Sequence, residues 1–217
     1  MPFTRRLERG GSVRPVYAGP LMTPFVQFLI TANVVGFLIE NLLGPLTFQW
    51  FALWPSPWTN LLAAPWTLVS YSFLHAGLTH LFFNMFALWM FGSDLERVWG
   101  AKRLALGYFL GVVTGAIAQV VFGEAFGGGG LPVVGASAGV FAVLLGYAIA
   151  FPNRTVMLLF PPIPMPARVF VLLYAALELT LGVTGTVSGV AHFAHLGGML
   201  GGWIAYRYGA SRSRWGR

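Results

Sequence analysis

Long apolar runs dominate the chain and predict membrane-spanning helices. Six runs approach the length of about 20 residues that a helix needs to cross a bilayer. They lie at about Met22–Leu43, Leu78–Phe91, Leu104–Phe122, Ala136–Phe151, Val169–Val183 and Val190–Tyr206. Thr23 and Pro24 open the first run with a typical N-cap residue and a proline at the first helical position. The pattern predicts an all-α, polytopic membrane bundle of six transmembrane helices.

The positive charges predict which loops face the cytoplasm. All 13 Lys and Arg residues precede the first span, follow the sixth, or lie between spans two and three or four and five. Because basic residues accumulate on the cytoplasmic side of a membrane, we expect both termini to be cytoplasmic. The chain then divides into a cytoplasmic basic segment at 1–20, a six-span core at 21–208 and a basic cytoplasmic tail at 209–217.

Composition excludes several classes of protein. Only 9% of the residues are charged, against about 25% in soluble domains, so a soluble globular protein is excluded. The absence of cysteine excludes disulfides, zinc–cysteine sites and cysteine nucleophiles. The net charge of +7 follows the membrane topology, so we expect no nucleic-acid partner. We expect the basic tail to contact anionic membrane lipids instead.

Polar residues recur near the outer ends of spans two, four and six, which run in the same direction. His80 and Asn84 lie in the first turns of span two, Ser137 at the start of span four, and His195 about one turn into span six. Ser137 and His195 lie about 21 and 16 Å from the inner ends of their spans at 1.5 Å per residue. Each residue can simply bond across a helix interface. Polar groups at membrane depth are nevertheless costly to bury without a function, so their shared depth predicts a site.

Glycines accompany these polar residues. Gly198 and Gly202 follow His195 by three and seven residues, so they allow span six to approach its neighbour closely. Gly135 and Gly139 flank Ser137 and leave room for helix packing and for a substrate carbonyl. A further small-residue repeat in span three predicts helix packing rather than chemistry; it consists of Gly107, Gly111 and Gly115.

These residue types suit acyl transfer. A hydroxyl attacks a carbonyl when a base removes its proton, so Ser137 is the candidate nucleophile and His195 the candidate base. The oxyanion that forms needs fixed donors, which the Ser137 backbone N–H, His80 and Asn84 can provide. No acid has a recognisable spacing to His195, so we expect a dyad rather than a triad, with Glu178 of span five in a structural role. This chemistry needs no metal or cofactor.

Three motifs carry a family resemblance. The segments HAGLTHLFFN at 75–84, GASAG at 135–139 and AHLGGMLGG at 194–202 together resemble the signature of rhomboid intramembrane serine proteases. The resemblance runs from about Pro65 to the last span and includes the six-span core of the bacterial members. It implies a hydrolase that cleaves transmembrane protein substrates near the outer membrane face, in a bacterial inner membrane. A substrate helix would enter laterally and unwind at the site.

The resemblance also implies roles for individual residues. Ser137 is the nucleophile and His195 the general base, while His80 and Asn84 join the Ser137 amide in the oxyanion hole. The resemblance further implies structural roles for His75 and Glu96. Phe141 is implied to be the aromatic ring that packs on the catalytic histidine.

The chain departs from the family pattern at three positions. Ala138 follows the serine where glycine is common, and Phe141 stands where some members have tyrosine. Thr67, after Trp66, replaces an arginine of the outer loop, which affects the anchoring of that loop but not the dyad.

Two other functions fit parts of the sequence. A catalytically inactive rhomboid-like protein would bind membrane proteins or act in quality control, although such proteins usually lack the serine or the histidine. A metal site or transporter would use histidines. His192 and His195 are three apart and can share a helix face, whereas His75 and His80 are five apart and diverge around a helix.

Overall fold

The structure is a computed structural model that describes residues 21–123, 125–126, 130–157, 161–186 and 189–213. The basic segment expected at 1–20 and the end of the tail lie outside these residues. The helices and strands are α1 (Pro24–Leu43), α2 (Pro45–Phe51), α3 (Thr59–Ala63), α4 (Thr67–Ser70), a 3₁₀ turn (Tyr71–Phe73), α5 (Leu78–Ala87), a π-helical segment (Leu88–Gly92), α6 (Ser93–Trp99), α7 (Ala101–Gly123), α8 (Ser137–Ala150), β1 (Thr155–Met157), β2 (Pro164–Pro166), α9 (Ala167–Thr184) and α10 (His192–Ser213).

Each of the six apolar runs corresponds to a helix or a continuous helical segment. Within the described residues, α1, α7 and α9 have the length and hydropathy of a membrane span. The segments 67–73 and 78–99 pass the same test together, with a bend of 99° at the break between them. The fourth run is a shorter apolar helix, α8, of 14 residues. The chain is therefore an α-helical, polytopic membrane bundle.

The second span ends later than its hydropathy predicts. The sequence places its end at Phe91, but the helix continues through the π-helical segment and α6 to Trp99. Asp94 stabilises this polar extension by pairing with Arg97 and Arg154, each at 2.8 Å. Hydropathy alone misses this extension because it carries charged side chains, which ion pairs and hydrogen bonds satisfy.

The first span is attached to the same extension by Glu96. Thr23 is the N-cap residue of α1, but its side chain makes no capping bond to α1. Its hydroxyl donates instead to Glu96 Oε2 at 2.5 Å. The backbone N–H groups of Phe25 and Val26 donate to Oε1 and Oε2 of Glu96, both at 3.0 Å. Glu96 thus satisfies helix N-terminal donors that would otherwise be left unpaired.

Close contact between α7, α8 and α10 forms the centre of the bundle. A Cβ added at Gly198 would lie 2.2 Å from the Ala138 carbonyl oxygen, and one at Gly202 would lie 2.6 Å from that of Ala142. A Cβ at Gly111 would lie 2.4 Å from the Cβ of Ala142. The two glycines of span six that the sequence singles out, Gly198 and Gly202, therefore lie at this close contact. The backbones can meet only because these positions lack side chains.

The aromatic segment between α1 and α5 is built of short helices. Its exposed tryptophans include Trp50 and Trp66, and the Trp66 indole N–H donates to the Trp50 carbonyl at 2.8 Å. Thr67, which replaces the arginine of the resemblance, is buried and donates to the Ala64 carbonyl at 2.7 Å. Both side chains attach the segment to its own backbone.

Candidate active site

Ser137 is the first residue of α8. It follows a segment, 130–136, that backbone hydrogen bonds hold in place. Leu53 and Val133 form an antiparallel bridge, with N–H to carbonyl distances of 3.1 and 2.8 Å. The Gly135 N–H donates to the Tyr71 carbonyl at 3.0 Å. The serine is therefore presented by a fixed turn that leads directly into a buried helix.

His195, in the first turn of α10, contacts the serine. Its Nε2 lies 2.9 Å from Ser137 Oγ, a normal hydrogen-bond distance. When the serine hydroxyl donates to Nε2, a neutral imidazole carries its proton on Nδ1. The contact follows from the glycines of α10, because Gly198 lies directly against the turn of α8 that begins with Ser137.

An aromatic ring fixes the plane of His195. Phe141, one turn beyond Ser137 on α8, stacks on the imidazole with ring centroids 4.4 Å apart and an interplanar angle of 11°. Tyr174 of α9 lies on Phe141 at 5.8 Å. The residue that the resemblance places against the histidine is therefore in contact with it.

His80 of α5 faces the turn before the serine. Gly135 has φ of +121°, and a Cβ there would lie 2.5 Å from His80 Cε1. Glycine is required at this position both by its conformation and by the histidine. Gly139, on the other side of the serine, is required by packing, because a Cβ there would lie 2.4 Å from a ring carbon of Tyr108.

Asn84 lies one turn from His80 and is buried. Its Nδ2 donates to the His80 carbonyl at 3.0 Å. His80 lines the cavity beside Ser137, whereas Asn84 does not.

His75 is fully buried, and its backbone N–H donates to Glu40 at 2.9 Å. The expectation that His75 and His80 diverge around a helix is wrong, because their rings meet edge to face at 5.2 Å. The helical spacing does not apply to this pair, since α5 begins only at Leu78.

An acid lies beside His195, contrary to the sequence-based expectation. Glu178 Oε2 lies 3.0 Å from His195 Nδ1 and 2.6 Å from His192 Nδ1. Glu178 and His192 are both buried. The spacing in sequence hides this contact, because α9 and α10 are consecutive helices and both residues lie near the loop that joins them. An acid in the second half of one predicted span and a histidine in the first turns of the next are the signal that could have revealed it.

The site opens into a cavity of about 830 Å³. Ser137, His80, His192 and His195 contribute to its lining, together with apolar side chains such as Leu181. The lining of the cavity brings together polar side chains of α5, α8 and α10.

The histidines do not form one cluster of four. Among the described residues, the group of acids and histidines whose ligand atoms lie within 4.8 Å of one another consists of Glu178, His192 and His195. His75 and His80 lie outside it. A metal site of the kind that the histidines suggest in the sequence would have to use Glu178, His192 and His195.

Comparisons with known proteins agree with the motifs. The family model described as Rhomboid domain matches residues 63–212. Rhomboid protease GluP of Bacillus subtilis (strain 168) is 34% identical over 142 residues, which are 64% of this chain and 25% of that protein. Rhomboid protease GlpG of Serratia proteamaculans (strain 568) is 29% identical over 189 residues, 84% of this chain and 60% of that protein. Rhomboid-related protein 3 of Homo sapiens is 40% identical over 85 residues, 39% of this chain and 20% of that protein.

The chain spans only between 20% and 60% of the length of these three relatives. The similarity therefore concerns the membrane core that holds the candidate site. Since the domain model covers more than half of the chain, the protein belongs to the rhomboid family.

Proposed function

We propose that the protein is an intramembrane serine protease that cleaves transmembrane proteins near the outer face of the membrane. The observation that carries the proposal is the 2.9 Å contact between Ser137 Oγ and His195 Nε2. The names of the relatives GluP and GlpG, both rhomboid proteases, support intramembrane protease activity in the family. The joint presence of the serine and the histidine in contact argues against an inactive binding or quality-control protein.

The dyad accounts for acylation without a further reagent. Ser137 Oγ attacks the scissile carbonyl carbon while its proton passes to His195 Nε2. The tetrahedral intermediate collapses when the C–N bond breaks and Nε2 returns the proton to the leaving amine. A water molecule then attacks the acyl-Ser137 ester while Nε2 takes its proton. The bond between the acyl carbon and Ser137 Oγ breaks, Nε2 returns the proton to Oγ, and the carboxylic acid is released. Phe141 keeps the imidazole in the plane that both transfers require.

Fixed donors on two helices would hold the oxyanion. The Ser137 backbone N–H lies at the N-terminus of α8, where the helix dipole favours negative charge. The His80 ring lines the same cavity as Ser137. Asn84 does not line this cavity and bonds the His80 carbonyl; as an oxyanion donor it would use its second amide hydrogen.

The cavity suits a substrate backbone that has left its helix. Unpaired peptide groups are tolerated at membrane depth only where polar groups or water satisfy them. The polar lining of the cavity provides such surroundings and admits the water for deacylation. The distribution of basic residues supports an integral membrane protein with both termini in the cytoplasm and in contact with membrane lipids. Its bacterial relatives GluP and GlpG support a bacterial inner membrane.

Cleavage in liposomes tests the proposal. The full chain is reconstituted with a single-pass model substrate that has a helix-breaking residue near its outer end, and products are identified by mass. We expect cleavage by the wild type and by Thr180→Val, because the Thr180 hydroxyl bonds only a carbonyl of its own helix, that of Ala176. We expect none from Ser137→Ala. An inactive binding protein would retain the substrate intact in every case, and unchanged cleavage by Ser137→Ala would contradict the assigned nucleophile.

A further inference from the structure

Glu178 of α9 is a buried acid that the dyad mechanism leaves unused. It lies on the side of His195 opposite Ser137, because Ser137 contacts Nε2 whereas Glu178 lies beside Nδ1. We infer that Glu178 is a positioning residue for His195, and that His192 holds its carboxylate in place. The inference rests on the proposed function, since it concerns the base of that reaction.

One carboxylate oxygen serves both histidines. Glu178 Oε2 lies 2.6 Å from His192 Nδ1, a short hydrogen bond, and 3.0 Å from His195 Nδ1. An ionised carboxylate oxygen has lone pairs for two donors. His192 lies one turn before His195 on α10, so its bond ties α9 to the start of α10. The carboxylate is thereby fixed next to the catalytic imidazole.

The contact with His195 is close but not aligned as a hydrogen bond in the resting protein. Catalytic hydrogen bonds are often poorly aligned in the free enzyme and tighten in the reacting complex. When His195 accepts the Ser137 proton, it becomes an imidazolium whose positive charge lies 3.0 Å from Glu178. In a buried site this attraction is much stronger than in water. Glu178 therefore stabilises the charged form of the base and favours the Nδ1–H form of the neutral ring.

The other groups around His195 do not supply a negative charge. Phe141 stacks on one face of the ring, and His80 lies across the cavity on α5. Tyr174 lies beside Phe141 on α9. Gln119 of α7 accepts the backbone N–H of Ala194 at 3.3 Å. Among the described residues that face the base, Glu178 is thus the group suited to balance its charge.

The distances favour hydrogen bonding over a metal. Two ligand atoms on a tetrahedral zinc ion at 2.0–2.1 Å lie about 3.3 Å apart. Oε2 lies 2.6 and 3.0 Å from the two Nδ1 atoms, which is too close for two such ligand pairs. The separations are instead those of donors and acceptors that share a proton.

Kinetics in liposomes test the inference. We compare Glu178→Gln, which keeps an acceptor oxygen but no charge, and Glu178→Leu, which keeps neither, with the control Thr180→Val on the same helix. We expect kcat to fall about tenfold in the first, because an acceptor oxygen remains, and about 100-fold in the second, the lower end of the range for general-base effects, with KM within about twofold. Wild-type kcat in Glu178→Leu, or a change in KM alone, would overturn the inference.

Nuclear magnetic resonance gives a readout other than activity, and its main result, the tautomer of His195 in the wild type, does not depend on the Glu178 variants folding. The chain has only four histidines, so ¹⁵N-histidine labelling and the loss of signals in His195→Gln identify the ring of His195. We expect the Nδ1–H tautomer in the wild type and a loss of that preference in Glu178→Leu. An Nε2–H tautomer in the wild type would overturn the inference.

Two further outcomes separate the possible failures. If Ser137→Ala retains cleavage, the proposed function itself fails. If cleavage depends on Ser137 but not on Glu178, only the inference fails. Wild-type cleavage is also measured after treatment with a chelator. Unchanged rates support hydrogen bonding, whereas loss of cleavage that Zn²⁺ restores would show a metal site and overturn the inference.

Discussion

The ring of Phe141 lies nearly parallel to the imidazole of His195, with centroids 4.4 Å apart and an angle of 11° between the planes. Aromatic pairs contribute about 0.5–1.5 kcal/mol beyond their burial, which corresponds to about two- to tenfold in rate if the contact orients the base. We expect Phe141→Leu to lower the rate of Ser137 labelling by a fluorophosphonate by that factor. Phe141→Tyr keeps the ring and should label at the wild-type rate. Equal rates for all three proteins would show that stacking does not orient the base.

The contact between α8 and α10 makes the dyad depend on a glycine outside the site. In Gly198→Ala the new Cβ would lie 2.2 Å from the Ala138 carbonyl oxygen, so α10 has to move away. A displacement of about 1 Å can cost about 100-fold in rate. We expect a loss of this size in substrate cleavage.

The matched control for that loss is Gly107→Ala. Its Cβ would meet Ala205 at 3.6 Å, an ordinary contact, and cleavage should stay at the wild-type level. Equal activity in Gly198→Ala and Gly107→Ala would contradict the packing account of how Ser137 and His195 are brought together.

Gly135, in the turn before Ser137, is expected to act as one unit with His80. In Gly135→Ala the Cβ would lie 2.5 Å from His80 Cε1, and the loss of one oxyanion donor costs about 10²–10³-fold in kcat. We expect kcat to fall by that order in Gly135→Ala and in His80→Ala. The double variant should lose more than His80→Ala, because the alanine at position 135 remains strained at φ of +121°, but less than the product of the two single losses, because the clash is gone. Losses that multiply fully would show that the two residues act independently.

A matched substitution separates this effect from a general cost of adding a methyl group near the serine. Gly130 lies five residues before Gly135 in the segment that leads into α8, and a Cβ there would meet no atom within 4 Å. We expect kcat of Gly130→Ala to equal that of the wild type. A comparable loss in Gly130→Ala would mean that the whole segment, rather than the contact with His80, is sensitive to substitution.

Glu96 is predicted to matter for stability rather than for chemistry. It accepts hydrogen bonds from Thr23, Phe25 and Val26 at the start of α1. Hydrogen bonds to a charged group contribute about 1.5–3 kcal/mol each, and the donors at the start of α1 would remain buried without a partner. We therefore expect Glu96→Ala to lower the free energy of unfolding by about 3 kcal/mol or more. Thermal unfolding in detergent should show a lower Tm, with unchanged cleavage per folded molecule at low temperature. An unchanged Tm would show that α1 does not depend on this cap.

Sequence alone predicted the helical spans and singled out Ser137 and His195, which are in contact in the structure. The apolar runs identify the spans because hydropathy is a local property. Ser137 and His195 stand out because each is polar, each lies near the outer end of a span, and small residues surround both. Phe141 was implied only by the family resemblance, and its contact with His195 agrees with that implication.

Contacts that depend on tertiary geometry were not predictable in the same way. Glu178 reaches His195 because α9 and α10 form an antiparallel pair, and the separation of 17 residues between Glu178 and His195 in sequence matches no motif. Thr23 has the position of an N-cap, but its hydroxyl is used by Glu96 because α6 lies beside it. His75 and His80 meet because the chain between them is not helical throughout.

The central claim is that Ser137 is a nucleophile activated by His195. The most direct measurement treats the folded, detergent-solubilised wild type with a fluorophosphonate and locates the adduct by peptide mass spectrometry. We predict one adduct, on the peptide that contains Ser137, and none in Ser137→Ala. We also predict a rate reduced by at least about 100-fold in His195→Ala. An adduct at another residue, or no adduct in the folded wild type under conditions in which it cleaves a substrate, would contradict the account.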